Sequence, residues 1–392
     1  MARRKMVEAK AEVRERLGAF ERVAKRFEHW GPAGQVLTRV RAVRTIFAQI
    51  DRATHVGGWP TQRFAIVHGP SNQGKTSFVH GLGLSFLQAG GFYGYVDAEY
   101  TTPEDWLTKL MAGHASNPAF VALRPESFEQ TVGAVRSMAQ IITDARDTKE
   151  IPPETPCLIV VDSIRKLVPQ GLLDKLMSGK DGFDGAKGRG QMMKAALNAQ
   201  WLDELIPLLY RSNIGMVFIT REIENVDAEG LYDVDYKTTG GKALFFDSSL
   251  ACRVSRAAWV KRGSDEHPEI LGEKHRVRIY KTKIGGKDGK YEDAHFYTSN
   301  GKLVPEGFDH ARALVELGLD LGLLTRAAPK KAKRSEAGEK KKGGGAWIDW
   351  VSTGERFNGE HAAVKAVADD ARLFAMLDGE ARAAIEKEAG RC

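Results

Sequence analysis

The sequence predicts an α/β protein in which helices cover a mostly parallel β-sheet, followed by a small, mainly helical domain at the C-terminus. Two observations carry this prediction. Between Phe64 and about Leu303, short apolar runs alternate with longer stretches of helical spacing, which is the pattern of repeated βαβ units. In addition, 42% of the 392 residues are hydrophobic, which is enough for one large core and one satellite domain.

The first element is a charged amphipathic helix over residues 1 to about 30. A Gly-Pro pair at residues 31 and 32 breaks the pattern, after apolar residues at helical spacing: Val13, Leu17, Phe20 and Val23. A lone helix of this kind needs a partner surface. We therefore assign residues 1–35 to a helix and linker outside the core.

The core is placed at residues 36–304, where the short apolar runs lie. Runs of four to six apolar residues between turn signals are typical of buried strands. The predicted strands are Phe64–Val67, Tyr93–Val96, Leu158–Val161, Met216–Ile219, Ala251–Val254 and Val277–Tyr280.

The C-terminal domain is placed at residues 305–392 and is interrupted by a basic insertion. Residues 327–345 contain lysines, small residues and glycines without periodicity, which predicts a flexible linker or surface insertion. A solvated spacer is the simpler interpretation, and a segment that tethers DNA is the alternative. From Trp347 to Ala389 the apolar period returns and predicts a mainly helical domain.

Composition narrows the class of protein. The net charge of +7 favours polyanionic partners without selecting one. Cys157, Cys252 and Cys392 are too few and too scattered for a disulfide framework, and no His/Cys cluster has zinc spacing. No signal peptide and no apolar run long enough for a membrane span is visible, so we expect a cytoplasmic protein without a membrane partner.

A phosphate-binding motif follows the first predicted core strand. The segment GPSNQGKT matches G-x-x-x-x-G-K-[ST], with a strand before it and a helical run after it. The glycines let backbone N–H groups point at phosphate oxygens, the lysine adds a positive charge, and the threonine hydroxyl can ligate Mg²⁺. The predicted nucleotide-binding residues of this segment are Gly69, Pro70, Ser71, Asn72, Gln73, Gly74, Lys75, Thr76 and Ser77.

Two carboxylates at strand ends complete a candidate ATP and Mg²⁺ site. Asp162 ends the apolar run LIVVD, as expected for a residue that binds Mg²⁺ through water, with Thr76 as the direct ligand. Glu99 ends another predicted strand and is a candidate to orient or deprotonate the attacking water. The phosphate-binding motif by itself is compatible with kinases, GTPases, helicases and transporters, so it does not decide among these classes of protein.

The segments that accompany the motif resemble the bacterial RecA family. GPSNQGKT is similar to the family's GPESSGKT, YVDAEY to FIDAEH, LIVVDS to IVVDS, and VRIYKTKIG to VKVVKNKIA. TTGGKALFFDSSLACRVSR, residues 238–256, resembles TTGGNALKFYASVRLDIRR, and GGAW resembles AGAW. Six segments in the same order exceed what a chance motif produces.

The resemblance implies a RecA-like P-loop NTPase core, a polymerisation helix at the N-terminus, and a small C-terminal domain. It implies an ATP-dependent recombinase that forms head-to-tail filaments on single-stranded DNA, pairs it with homologous duplex DNA and exchanges strands in recombination and repair. Two alternatives stay open. One is a hexameric helicase with the same core fold, and the other is a noncatalytic recombination mediator.

By resemblance, several residues acquire roles in ATP hydrolysis. Glu99 falls on the catalytic glutamate, and Trp106 on the aromatic residue that stacks on adenine, although Trp106 could instead be a core aromatic. Lys281 and Lys283 fall on lysines that reach the neighbouring protomer's phosphates, as an arginine finger does. Arg221 departs from the family, which has a γ-phosphate-sensing glutamine there, so a fixed cation replaces a neutral switch.

The resemblance also implies surfaces for self-assembly and DNA. Phe246 falls on an aromatic residue at the polymerisation interface. Two DNA-binding loops are expected at about residues 168–190 and 222–242, although both could simply be surface loops without a ligand. Basic and glycine residues there would follow the DNA backbone and an aromatic would stack on bases: Lys180, Lys187, Arg189, Tyr232, Lys237, Gly240 and Gly241.

Overall fold

The structure is a computed structural model that describes residues 40–178, 183–224, 236–238, 242–263, 266–285, 292–327 and 347–389. Strands and helices alternate along these residues. Its strands are β1 (Ala42–Val43), β2 (Trp59–Pro60), β3 (Phe64–His68), β4 (Phe92–Asp97), β5 (Phe120–Leu123), β6 (Cys157–Asp162), β7 (Ile214–Ile219), β8 (Glu222–Glu224), β9 (Tyr236–Thr238), β10 (Leu250–Arg262), β11 (Glu269–Thr282), β12 (Glu292–Ser299), β13 (Gly307–Phe308), β14 (Leu324–Arg326), β15 (Ile348–Trp350) and β16 (Arg356–Phe357). Its helices are α1 (Ala48–Ala53), α2 (Lys75–Gln88), α3 (Glu104–Leu110), α4 (Phe128–Asp147), α5 (Gln170–Met177), α6 (Phe183–Arg211), α7 (Lys242–Asp247), α8 (His310–Asp320), α9 (Glu360–Asp369) and α10 (Ala371–Glu388).

The central sheet confirms the predicted α/β class. Its described strands lie in the order β13-β12-β11-β10-β3-β7-β6-β4-β5. Neighbours from β10 to β5 run parallel, and those from β10 to β13 run antiparallel. Strands β3, β6 and β7 are buried at every residue, as expected for parallel strands that helices cover on both faces. All six predicted strands lie within observed ones.

Sequence analysis missed strands at the two ends of this sheet. Strand β5 is an edge strand with the apolar run FVAL, and its two central residues are exposed. Strand β12 begins with two acidic residues and buries mainly alternate positions. The β10–β11 pair also extends well beyond its predicted apolar runs, because its outer half is largely exposed.

Parallel pairing brings polar residues together at one edge of the sheet. Asp97 at the end of β4 is in register with Asp162 at the end of β6. The loop after β3 leads directly into α2, and β7 ends beside β3. The carboxyl ends of these four strands therefore meet where ligands bind in open α/β sheets.

The C-terminal part packs α8, α9 and α10 with a three-stranded sheet of β14, β15 and β16. Trp350 is fully buried there, and Arg382 of α10 forms an ion pair with Asp51 of α1 at 2.8 Å. The chain from residue 41 onward clusters as one compact unit. The domain boundaries stay predictions, and residues 1–35 and 328–345 lie outside the described residues.

Within the described part of the chain, the helices are too short or too polar to cross a membrane.

Candidate functional site

The loop after β3 has the backbone that binding of phosphate requires. Gly69 and Gly74 have positive φ values of 148° and 92°, a region in which other residues are strained. A Cβ atom at Gly74 would also lie 2.5 Å from Nδ1 of His275. Helix α2 begins at Lys75, so the unpaired N–H groups of its first turn lie at the loop and favour an anion.

A cavity of about 550 Å³ opens over this loop, within the size range of ligand sites. It brings most of the predicted nucleotide and catalytic residues together: Ser71, Asn72, Gln73, Gly74, Lys75, Thr76, Ser77, Glu99, Trp106, Asp162 and Arg221. These residues come from five separate stretches of the chain. The cavity therefore lies over the phosphate-binding motif and is lined by the residues that the sequence assigns to a nucleotide site.

Lys75 reaches back over the loop. Its Nζ donates to the carbonyl oxygens of Gly69 and Pro70 at 3.0 and 2.6 Å. Burial lowers the pKa of Lys75, and the Asp162 carboxylate opposes this shift. A partly desolvated ammonium that is bonded only to neutral carbonyls will interact more strongly with an anion such as phosphate.

The oxygen atoms expected for Mg²⁺ lie beside Lys75. Thr76 Oγ1 donates to Asp162 Oδ2 at 2.8 Å, and Tyr95 Oη donates to the same oxygen at 3.2 Å. Burial raises the pKa of Asp162 to about 6, against the hydrogen bond from Thr76. Among the described residues no group of three or more His, Cys, Asp or Glu could hold a metal. A hydroxyl and one carboxylate suit Mg²⁺, which takes its other oxygens from water and phosphates.

Glu99 and Arg221 form an ion pair on the floor of the cavity. Nη2 of Arg221 lies 3.1 and 3.0 Å from the two carboxylate oxygens of Glu99, and Ser163 Oγ donates to Oε1 at 2.8 Å. Burial alone would raise the pKa of Glu99, but the hydrogen bonds from Ser163 and Arg221 hold it below its usual value. The carboxylate of Glu99, the candidate for activating water, is thus paired with Arg221, the residue at which the sequence departs from the family pattern.

Two aromatic side chains also line the cavity. Trp106 on α3 is partly buried and lines the cavity, and its role in stacking on adenine stays a prediction. Its ring lies 5.8 Å from that of His80 on α2. Trp259 on β10 also lines the cavity and was not predicted, because it lies beyond the segments that resemble the family.

Arg256 on β10 holds the phosphate loop from the opposite side and was also missed. Its backbone N–H donates to Gln73 Oε1 at 2.7 Å, and its Nη2 donates to the carbonyl oxygen of Asn72 at 3.1 Å. A signal for it existed, because the family segment similar to residues 238–256 also ends in arginine.

Lys281, Lys283 and Phe246 lie together away from this cavity, and we call them the lysine surface. The carbonyl oxygen of Phe246 accepts from Lys281 Nζ at 2.9 Å and from Lys283 Nζ at 2.6 Å. Burial, together with the nearby charge of Lys283, lowers the pKa of Lys281 to about 8. The Phe246 side chain is 62% exposed. None of these three residues lines the nucleotide cavity of its own chain.

Comparison with known proteins decides the family. A model of the RecA N-terminal domain matches residues 32–298. The chain belongs to the RecA family. Protein RecA of Chloroherpeton thalassium is 28% identical over 292 residues, covering 74% of this chain and 71% of that protein. Protein RecA of Chlorobium limicola is 28% identical over 346 residues, covering 88% and 83%. Protein RecA of Corynebacterium pseudotuberculosis is 26% identical over 288 residues, covering 74% and 68%.

The residues expected to contact DNA in a RecA protein are only partly described. Lys180, Tyr232, Gly240 and Gly241 lie outside the described residues. The backbone of Lys187 and Arg189 belongs to α6 and that of Lys237 to β9, and nothing is described of these three side chains. Their roles stay predictions.

The backbone around the two expected loops differs from a simple loop. Residues 170–177 and 183–190 are helical, although glycines at residues 182, 185, 188 and 190 led us to expect a loop. Glycine lowers helix stability without forbidding a helix, and α6 continues into the buried Trp201 and Leu205. Strand β8 pairs with β9 from Glu222↔Thr238 to Glu224↔Tyr236, so the second expected loop begins and ends in a β-ladder.

Proposed function

We propose that this RecA family member is an ATP-dependent homologous recombinase that polymerises on single-stranded DNA and exchanges strands with homologous duplex DNA. The observation that carries the proposal is the single cavity in which Lys75, the Thr76–Asp162 pair and Glu99 meet. These groups are the ones that ATP hydrolysis needs. The proposed setting is the cytoplasm, in recombination and in repair of DNA damage.

Lys75 and the first turn of α2 bind the phosphates in this proposal. The ammonium exchanges the carbonyl oxygens of Gly69 and Pro70 for phosphate oxygens, which gives stronger, charge-assisted hydrogen bonds. Thr76 directly and Asp162 through water would hold Mg²⁺, which would neutralise charge on the phosphates. Glu99 then orients the attacking water or accepts its proton.

Arg221 controls when Glu99 is available. Before ATP binds, its guanidinium occupies both carboxylate oxygens. A guanidinium binds phosphate oxygens well and keeps its charge at any working pH, so the γ-phosphate of ATP competes for it. When Arg221 moves to that phosphate, Glu99 keeps the hydrogen bond from Ser163 and becomes available to water.

The filament is proposed to share active sites between neighbours. Lys281 and Lys283 would act on the ATP of the next protomer, with Phe246 packed at the same interface. The exposure of Phe246 and the absence of both lysines from the lining of their own cavity support this arrangement. A heterologous contact of this kind repeats into a helix instead of closing as a dimer.

Coupling to DNA is proposed to pass through Glu222, which directly follows Arg221 and begins the second DNA-binding segment. Glu222 Oε1 lies 2.7 Å from both His68 Nδ1 and Arg253 Nε. His68 directly precedes Gly69 of the phosphate loop. A displacement of Arg221 by ATP would therefore act on the β8–β9 ladder directly, because β8 begins at the next residue, Glu222.

The test is hydrolysis of ATP with and without single-stranded DNA, followed by electron microscopy and a strand-exchange assay. We expect DNA-stimulated hydrolysis, helical filaments and exchange between homologous strands. Ring-shaped particles that unwind duplex DNA would replace the proposal with a helicase. ATP binding without hydrolysis, together with affinity for another recombinase, would replace it with a mediator.

A further inference from the structure

Tyr95 lies buried on β4, beside the end of β6 that carries Asp162. Its Oη is 3.2 Å from Asp162 Oδ2 and 2.9 Å from Thr102 Oγ1. A carboxylate oxygen only accepts and a phenol has one proton, so Tyr95 donates to Asp162 and accepts from Thr102. The Tyr95 ring is also held against the imidazole of His80, with ring centroids 4.5 Å apart.

Two donors converge on one oxygen of Asp162. Thr76 Oγ1 and Tyr95 Oη both donate to Oδ2 and thereby fix the rotation of the carboxylate. We propose that Tyr95 is a positioning residue that, through Asp162, sets the affinity of the nucleotide site for Mg²⁺. This inference rests on the proposed nucleotide site and adds a residue to it.

Thr102 gives the phenol a fixed partner. Its backbone N–H donates to Asp97 Oδ2 at 3.4 Å, and its carbonyl oxygen accepts from Arg124 Nη2 at 3.2 Å. Arg124 also donates to Asp97 Oδ2 at 3.2 Å, so the three residues hold one another. Thr102, whose backbone is hydrogen-bonded to Asp97 and Arg124, therefore bonds the hydroxyl of Tyr95, which in turn bonds Asp162.

The sequence suggests the size of the effect. In the motif FIDAEH, which YVDAEY resembles, a phenylalanine stands where Tyr95 stands. The family motif therefore lacks this hydroxyl. We expect it to tune Mg²⁺ binding and not to be essential.

The experiment titrates Mg²⁺ against binding of a non-hydrolysable ATP analogue to the full chain, measured by calorimetry. Tyr95→Phe removes one hydroxyl and should raise the half-saturating Mg²⁺ concentration about 3- to 10-fold, as expected for the loss of one hydrogen bond of ordinary strength. Binding of the analogue in excess chelator should not change. Thr102→Val should shift the Mg²⁺ requirement in the same direction by less, because Tyr95 still donates to Asp162 but no longer accepts the hydrogen bond from Thr102 that orients its hydroxyl.

Tyr93→Phe is the matched control. Tyr93 is two residues earlier on β4 and equally buried, and its hydroxyl bonds His80 Nδ1 at 2.9 Å instead of Asp162. An equal Mg²⁺ shift in Tyr93→Phe and Tyr95→Phe, or an unshifted Tyr95→Phe, would overturn the inference. If Tyr95→Phe does not fold, an unshifted Thr102→Val overturns it. A Mg²⁺ shift without DNA-stimulated hydrolysis would keep the role of Tyr95 and remove the recombinase proposal.

Discussion

The nucleotide cavity and the lysine surface differ in the partners of their charged side chains. In the cavity, ionised groups pair within the chain, as Glu99 does with Arg221 at 3.0 Å. On the lysine surface, the two ammonium groups bond the carbonyl oxygens of Phe245 and Phe246, which carry no net charge. In the cavity, Glu99 and Arg221 therefore neutralise each other within one protomer, while Lys75 bonds the neutral carbonyl oxygens of Gly69 and Pro70. The lysine surface presents its positive charge outward.

This difference indicates a division of labour between the protomer and the assembly. We expect the cavity to bind ATP without help from a neighbour, and we expect release of the Glu99–Arg221 pair to depend on what enters. Cations held only by neutral oxygens gain most from an incoming anion, because charge-assisted hydrogen bonds are roughly twice as strong as neutral ones. We expect nucleotide binding to belong to one chain and turnover to the filament.

The largest effect is expected at the cavity. Lys75→Ala removes the charge-assisted contact to phosphate and should lower DNA-stimulated hydrolysis by at least about 100-fold. Phosphate release at saturating ATP measures the effect. Lys302→Ala is the control, because it removes an exposed lysine that pairs with Glu269 at 3.7 Å. Wild-type turnover in Lys75→Ala would sink the assignment of the site.

The lysine surface is tested by mixing variants. A chain with both Lys281→Ala and Lys283→Ala should be nearly inactive, as should Lys75→Ala, since each lacks charges that one shared site requires. Mixed on single-stranded DNA, some interfaces combine an intact loop with intact lysines, so hydrolysis should exceed the sum of the parts. Energy transfer between labelled protomers verifies co-assembly. Additive activity in a verified mixed filament would mean that the lysines act within their own chain or are structural.

Phe246→Ala separates assembly from binding. An exposed aromatic at the centre of an interface contributes about 2 kcal/mol or more, so the protein concentration needed for filaments should rise about 30-fold. Affinity for ATP in the monomer should stay unchanged. Val351→Ala, at a side chain that is 64% exposed in the C-terminal part, is the control. Assembly at the wild-type concentration would remove Phe246 from the interface.

The smallest effect is expected from Arg221→Gln, which installs the neutral residue of the family motif. Without the guanidinium the pKa of Glu99 should rise, because Arg221 now stabilises its ionised form. The acid limb of the pH–rate profile should therefore move to higher pH, and the preference for ATP over ADP should fall. Arg221→Lys keeps the charge and should move the limb less. An unmoved acid limb would mean that the ion pair does not govern Glu99.

Features that depend on local sequence were predicted well. The phosphate loop needs glycines at fixed spacing between a strand and a helix, and buried parallel strands need short apolar runs; both signals lie within about ten residues. Strand β5 has an apolar run, FVAL, that was not assigned to a strand, and only the structure shows that it pairs with β4 at the edge of the sheet. The helical residues 183–190 were missed because their glycines favour a loop locally, and the longer helix outweighs them.

By itself, therefore, the sequence determined the α/β class, the family resemblance and the residues of the phosphate loop, because each is written in contiguous segments. Only the tertiary structure decided which groups meet across segments. Arg221 is 122 positions from Glu99, and Tyr95 is 67 positions from Asp162. Those pairs exist because β4, β6 and β7 lie near one another in the sheet and end at the same edge, and strand order is set by crossovers and core packing.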